Sequence, residues 1–193
     1  MNISKLTLCI LLIFTTSKVI NAQETFSKYQ LDYCNTAKDV AYLTSNEKEV
    51  IQLINLARSY PNLFCKVYIN KLTLHYYDST YIISLKKELI AASSVALIIP
   101  DINLYNTAKC WAIEAGINNI RSHQRINCKY EYSAECISFS KSNALDIVLD
   151  LLVDWGVPSL GHRHALLDSY YSKIGVAIQA HKTTNYIAVL DFY

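Results

Sequence analysis

The stretch KIGVAIQAHKTTNYIAVLDF, residues 173–192, carries the clearest fold signal in the chain. Two runs rich in Val, Ile and Ala, Lys173–Ala180 and Asn185–Phe192, flank a short polar connection that begins at His181. Apolar and β-branched runs separated by a few polar residues are typical of paired antiparallel strands. We therefore predict an antiparallel pair that closes the fold.

The first half of the chain shows helical spacing instead. Thr44-Ser-Asn-Glu47 has the form of a capping box. Apolar residues at helical spacing follow it as far as Tyr60-Pro61, where proline ends or kinks the helix. Further helices are predicted over Leu63–Leu72 and Leu85–Ala92.

The second half mixes both patterns. One apolar helical stripe begins near Asp101 and runs to about Asn119. Tyr130–Ser138 is predicted as a strand that carries Glu135, a helix begins near Asn143, and a short helix follows Ser159. Helices around a small antiparallel sheet indicate the α+β class.

The N-terminal segment has the pattern of a secretory signal peptide. Lys5 precedes the apolar run Leu6–Phe14, and the small residue Ala22 suits a cleavage site. The run is too short to span a bilayer. We expect residues 1–22 to be removed and the protein to be secreted or periplasmic, with no transmembrane anchor. Residues 23–44 show no clean period and are predicted as a loosely docked arm.

The charge balance excludes some classes of partner. The chain has 18 basic and 16 acidic residues, and residues 1–22 hold two of the lysines and no acid. The exported form is therefore neutral overall and has no basic run. Nucleic-acid binding and polybasic membrane binding both depend on such a positive patch, so neither is expected.

Export also sets the expectation for the cysteines, because thiols tend to pair in oxidising compartments. Two disulfides and one free thiol are the simplest arrangement, and the sequence does not rank the pairings. The five cysteines beyond the signal segment are Cys34, Cys65, Cys110, Cys128 and Cys136.

Three residues suggest a chemical site: His123 after a helix, Glu135 in a strand and His162 at a helix start. Two imidazoles and a carboxylate can hold a divalent metal, with zinc or copper favoured by nitrogen ligands, or they can transfer protons. Their spacing does not choose between these uses. His164 is predicted to point elsewhere, because helix residues two apart share no face.

Three other polar residues are assigned structural roles. Asn55 and Arg58 lie three apart on the first helix and are interpreted as buried structural contacts. Arg163 is interpreted as a residue that pairs with an acid or binds the backbone.

Five segments in this order resemble the superfamily of cysteine-rich secretory proteins, antigen 5 and pathogenesis-related proteins, the CAP domain. The resemblance covers about residues 45–193 and is greatest to short bacterial-type members. The segments are EKEVIQLINLARSYPNLF (47–64), LYNTAKCWAIEAGINNIRSH (104–123), SAECIS (133–138), DWGVPSLGHRHALLDSYYSKIGVAI (154–178) and YIAVLDFY (186–193).

The resemblance implies a three-layer α-β-α sandwich with a central antiparallel sheet and a cleft lined by histidines and acids. His123 and His162 match the two family histidines that hold a divalent metal, often zinc. Glu135 matches the acid of the family's Gly-Glu-Asn segment, here Ala-Glu-Cys. The second family acid has no clear counterpart, and Asp154 is the first candidate and Asp150 the next.

Three functions follow from these features. The first is a non-catalytic exported binding module for an apolar ligand, a cell-envelope component or another protein. The second is a metal-dependent hydrolase, specifically a peptidase, in which His123 and His162 hold the metal and Glu135 is the base. The third is a disulfide-stapled scaffold used in defence or interaction. We favour the first.

Overall fold

A computed structural model describes residues 24–72 and 79–193, with the side chain of Ser79 left out. The predicted signal peptide, residues 1–22, lies outside the described residues. None of the described helices is long and apolar enough to cross a membrane.

The helices are α1 Lys28–Cys34, α2 Ser45–Ser59, α3 Pro61–Val67, α4 Ser79–Ala91, α5 Ile102–Asn118, α6 Ala144–Val153 and α7 Gly161–Leu167, with a 3-10 helix at Ile69–Lys71. The strands are β1 Ile99–Pro100, β2 Ala134–Phe139, β3 Lys173–His181 and β4 Asn185–Phe192.

The four strands form one mixed sheet in the order β1-β3-β4-β2. β3 and β4 pair antiparallel from Ile174 with Phe192 to His181 with Asn185, which confirms the predicted closing pair. β2 also pairs antiparallel with β4. β1 is parallel to β3, so the expected purely antiparallel sheet is wrong at this edge. A strand of two residues has no periodicity that a sequence pattern could reveal.

Local capping signals explain the helix boundaries. The Thr44 hydroxyl accepts from the backbone N–H of Glu47, and the Glu47 side chain accepts from the backbone N–H of Thr44, so the predicted capping box is confirmed. Asp101 caps the start of α5 by accepting from two backbone N–H groups. Asn119 ends α5 in the left-handed conformation that asparagine tolerates.

Helix α5 lies directly against β3, and two glycines make this approach possible. A Cβ atom at Gly175 would lie 2.1 Å from the carbonyl carbon of Leu104. A Cβ atom at Gly116 would lie 2.1 Å from the carbonyl oxygen of Ala180. Side chains longer than hydrogen are therefore excluded at both contacts, which set α5 close to the sheet.

The N-terminal arm is packed, contrary to the expectation of loose docking. Cys34, Ala37 and Leu43 are buried in the hydrophobic core. Asn55 joins this arm to the β1 segment, since its amide nitrogen donates to the carbonyl oxygens of Cys34 and Ile98. The arm is held by contacts that are distant in sequence, which a search for local periodicity does not detect.

Two buried arginines connect separate parts of the chain. Arg58 donates to the carbonyl oxygens of Ala96, Leu166, Asp168 and Tyr171. Arg163 donates to the carbonyl oxygens of Leu152 and Val153 and pairs with Glu88. These contacts confirm the structural roles predicted for Arg58 and Arg163. Both arginines satisfy carbonyl groups that burial would otherwise leave without a partner.

One disulfide joins Cys110 of α5 to Cys128 in the following loop. The other three cysteines of the described chain, Cys34, Cys65 and Cys136, are free and buried. The expectation of two disulfides is therefore wrong. Each free thiol lies in the packed interior on a different element, α1, α3 or β2. Burial raises the pKa of Cys34 to about 11 and raises those of Cys65 and Cys136, which disfavours the reactive thiolate.

Candidate functional site

His123 lies in the loop that follows α5 and contacts the first part of β2. Its Nδ1 atom is 2.7 Å from Oε1 of Glu135. The Glu135 side chain is only 2% exposed, whereas that of His123 is 54% exposed. The structure therefore places a buried carboxylate behind a histidine whose ring reaches the surface.

His162 lies in the first turn of α7 and is held by Asp154. Nδ1 of His162 is 2.7 Å from Oδ1 of Asp154. The other carboxylate oxygen accepts from the backbone N–H groups of His162 and Arg163, at 2.9 and 3.2 Å. Asp154 follows the last residue of α6 in a left-handed conformation, with φ of 56°. One residue thus ends α6, caps α7 and orients the ring of His162.

The two imidazole rings face each other. Their centroids are 6.5 Å apart and their planes differ by 28°. The structure therefore brings together all four residues predicted from sequence: His123, Glu135, His162 and Asp154. Asp150, the other candidate for the second acid, instead accepts a hydrogen bond from the Ser138 hydroxyl.

The paired carboxylates determine the histidine tautomers. Asp154 already accepts from two backbone N–H groups, and Glu135 accepts from the guanidinium of Arg125. Each carboxylate also accepts from Nδ1 of its histidine, so Nδ1 carries the proton. In the neutral imidazole, Nε2 then holds the free lone pair. The hydrogen bond that His123 donates to Glu135 also raises the pKa of His123 above its usual value of 6.5.

A buried ion network lies beneath Glu135, and the sequence pattern did not indicate it. Arg125 contacts Oε2 of Glu135 through Nη2, and the same nitrogen lies 3.0 and 2.9 Å from the two carboxylate oxygens of Asp191. Asp191 also accepts from the Thr107 hydroxyl at 2.8 Å. Burial raises the pKa of Asp191 to about 7, although Arg125 opposes the shift.

One signal in the sequence could have identified this network. Asp191 is the only acid in the apolar run of β4, and a charged residue in such a run needs a buried partner. Arg125 gives no comparable signal, because it lies in a loop with other polar residues.

Two neighbouring residues do not contribute ligands. His164 is exposed on α7. Cys136 follows Glu135 in β2, and its sulfur donates to the carbonyl oxygen of His162 at 3.8 Å. Burial raises the pKa of this thiol well above 9.0, so it serves as packing behind the histidine.

A mostly apolar cavity of about 370 Å³ opens close to the start of α7. Tyr81 and Ser84 of α4 form one wall, and Pro158 and Leu160 form another. Leu160 precedes α7 directly, and His162 lies in the first turn of that helix. The volume is within the range of pockets that bind small ligands.

A metal between the two rings would have two nitrogen ligands, one from each histidine. Within residues 24–72 and 79–193, no three His, Cys, Asp or Glu side chains are grouped so that all could hold one metal ion. A metal held here would therefore keep open coordination positions.

No family model matches the chain, and no curated protein and no solved structure matches it.

Proposed function

We propose that this chain is an exported CAP-domain protein that acts as a non-catalytic binding module with a two-histidine site for a divalent cation. One observation carries the proposal. Two imidazole rings face each other at 6.5 Å, and each has its Nδ1 bound to a buried carboxylate. This arrangement leaves both Nε2 atoms available to a shared ligand.

The residues present suit a weakly bound metal ion that prefers nitrogen ligands. Metal-binding histidines commonly donate their other ring N–H to a carboxylate, which fixes the tautomer and makes the ligand more basic. Glu135 does this for His123, and Asp154 does it for His162. Zinc is the leading candidate, because two imidazoles suit it and it accepts open positions. When bound, it would supply a positive charge to which a ligand oxygen or nitrogen can attach.

Binding is favoured over hydrolysis by the state of Glu135. A general base must come within hydrogen-bond reach of the water that it activates. Both oxygens of Glu135 already accept hydrogen bonds, one from His123 and one from Arg125. With a side chain that is 2% exposed, this carboxylate is suited to orienting His123.

The ligand proposed for this module is apolar or carries an apolar part. The cavity lined by Tyr81, Ser84, Pro158 and Leu160 has more apolar than polar surface, and Leu160 directly precedes α7. A cell-envelope component or a protein side chain could occupy it together with a polar group at the histidines. A free apolar ligand would occupy the same cavity.

The CAP assignment includes the three-layer α-β-α sandwich. Thr107 of α5 contacts Asp191 on one face of β4. Cys136 is paired with Leu190, the neighbour of Asp191, and contacts α7 through His162. Because neighbouring residues of a strand point to opposite faces, these contacts support helices on both faces of the sheet.

Zinc titration of the purified protein by calorimetry tests the proposal. His123→Ala and His162→Ala should each abolish measurable zinc binding, whereas His164→Ala, a histidine on the same helix as His162, should bind like wild type. Failure of wild type to bind zinc, or binding that survives both substitutions, would rule out the metal site.

A cleavage assay tests the non-catalytic part. Incubation with mixed peptides and esters, with and without added zinc, should give no turnover. Metal-dependent cleavage that is abolished by Glu135→Gln would instead establish the hydrolase.

A further inference from the structure

Arg125 occupies an unusually enclosed position for a charged residue. Its side chain has no exposed surface, and its Nη1 donates to the carbonyl oxygens of Thr107 and Lys129 at 3.2 and 2.7 Å. The rings of Tyr132 and Tyr130 lie 4.5 and 5.6 Å from its guanidinium carbon. These contacts alone hold the guanidinium in place, and its Nη2 atom makes further contacts with carboxylates.

The sheet register explains why a cation is needed there. Glu135 of β2 and Asp191 of β4 are directly opposite each other in the antiparallel pair. Like charges in opposite positions destabilise a sheet. Nη2 of Arg125 contacts both carboxylates and so holds them together. Without this cation, the Glu135 carboxylate would be repelled from its position behind His123.

We propose that Arg125 is a positioning residue for the metal pair: with Asp191 it fixes the Glu135 carboxylate, which in turn fixes the ring of His123. The contacts form one line from Asp191 through Arg125 and Glu135 to Nδ1 of His123. The expected effect of Arg125 on zinc binding rests on the proposed metal function. The contacts that fix the ring of His123 do not depend on that function.

Other contacts restrain the same loop without touching this line. Glu114 accepts from the backbone N–H groups of Ile126 and Asn127, and the disulfide Cys110–Cys128 ties the loop to α5. These contacts fix where the loop backbone lies. Within the described residues, Arg125 is the one that hydrogen-bonds to Oε2 of Glu135, so its effect on the His123 tautomer should be separable from general loosening of the loop.

The double variant Arg125→Gln/Asp191→Asn provides the main test. At pH 8, above the pKa of about 7 of Asp191, it removes one buried cation and one buried anion, so the formal charge near the histidines is unchanged. Long-range 15N spectra of the imidazoles in the metal-free protein should show His123 as one Nδ1–H tautomer in wild type and as a mixture in the variant. Zinc affinity should fall about 10-fold, the lower end for loss of an outer-shell partner.

Glu114→Gln is the loop control and should keep the wild-type tautomer of His123. Circular dichroism should show that each variant is folded. Where the double variant is not folded, Arg125→Lys replaces it, since lysine keeps the charge but lacks the two-sided geometry of the guanidinium.

The outcomes separate this inference from the proposed function. The positioning role would be overturned if the folded double variant kept the wild-type tautomer of His123 and the wild-type zinc affinity. If the double variant is not folded, the same result in Arg125→Lys would overturn it. An equal change in Glu114→Gln would also overturn it. If wild type binds no zinc, the metal function fails, and the tautomer of His123 still decides the role of Arg125.

Discussion

His123 and His162 face each other with ring centroids 6.5 Å apart, yet each ring is oriented by a different carboxylate. Glu135 reaches His123 from β2, and Asp154 reaches His162 from the end of α6. The two halves of the site therefore depend on different elements. Changes in the sheet or in the loop after α5 should affect mainly His123. Changes in the packing of α6 and α7 should affect mainly His162.

Stability should decrease as the pH rises from about 4 to 7 because of Asp191. Burial raises its pKa from 3.8 to about 7, so in this interval the folded state holds a proton that the unfolded chain has released. The stabilisation from this group is complete below 3.8 and is lost as the pH passes about 7. One such proton gives a slope of at most about 1.4 kcal/mol per pH unit.

Urea unfolding at several pH values measures this slope. Asp191→Asn should give a flatter profile than wild type, and Asp39→Asn, at an exposed position, should keep the wild-type profile. Parallel profiles for wild type and Asp191→Asn would show that Asp191 does not titrate in this range.

Loss of the disulfide should weaken the fold and the His123 loop together. Cys110 and Cys128 are 18 residues apart, and a cross-link of that span contributes about 3 kcal/mol by restricting the unfolded chain. Cys110→Ser/Cys128→Ser should therefore unfold in urea with a free energy lower by about that amount.

Reductant provides the matched comparison. Reduced wild type should unfold like the double serine variant, and reductant should leave the variant unchanged because the remaining described thiols are already free. Further destabilisation of the variant by reductant would reveal a second disulfide.

Substitution of Gly175 should force α5 away from β3. A Cβ atom there would lie 2.1 Å from the carbonyl carbon of Leu104 and 2.2 Å from the backbone nitrogen of Tyr105. Neither atom can move without shifting the helix, so Gly175→Ala should cost about 3 kcal/mol in urea unfolding, at the upper end for overpacking.

Gly161→Ala is the matched control. A Cβ atom at Gly161 would meet only the Ser159 hydroxyl, at an ordinary 3.5 Å. Its effect should stay within about 0.5 kcal/mol, as for most surface changes. Equal effects at the two glycines would contradict the close packing of α5 on the sheet.

Features set by local signals were predictable from the sequence. The capping box at Thr44, the ends of α5 at Asp101 and Asn119 and the β3–β4 pair all depend on residues within a few positions of each other. The family resemblance placed His123, Glu135 and His162 together and suggested Asp154, and the structure brings these four side chains together.

Features set by distant contacts were not predictable in the same way. Arg125 contacts Asp191 because the loop after α5 lies close to the paired strands β2 and β4. The pairing of Cys110 with Cys128 was one of several open choices until the fold placed their Cα atoms 5.8 Å apart. Neither contact leaves a periodic trace, since each depends on where two separate segments are carried by the rest of the chain.

The position of Asp154 between α6 and α7 makes the support of His162 local in sequence. Asp154 and His162 belong to one short segment, so closing their contact orders only a small loop of chain. His123 is oriented by Glu135, whose strand β2 is held in the sheet by pairing with β4, a strand near the far end of the chain. The support of the His162 half thus comes from one helix pair, whereas the support of the His123 half also includes strand pairing over a long sequence separation.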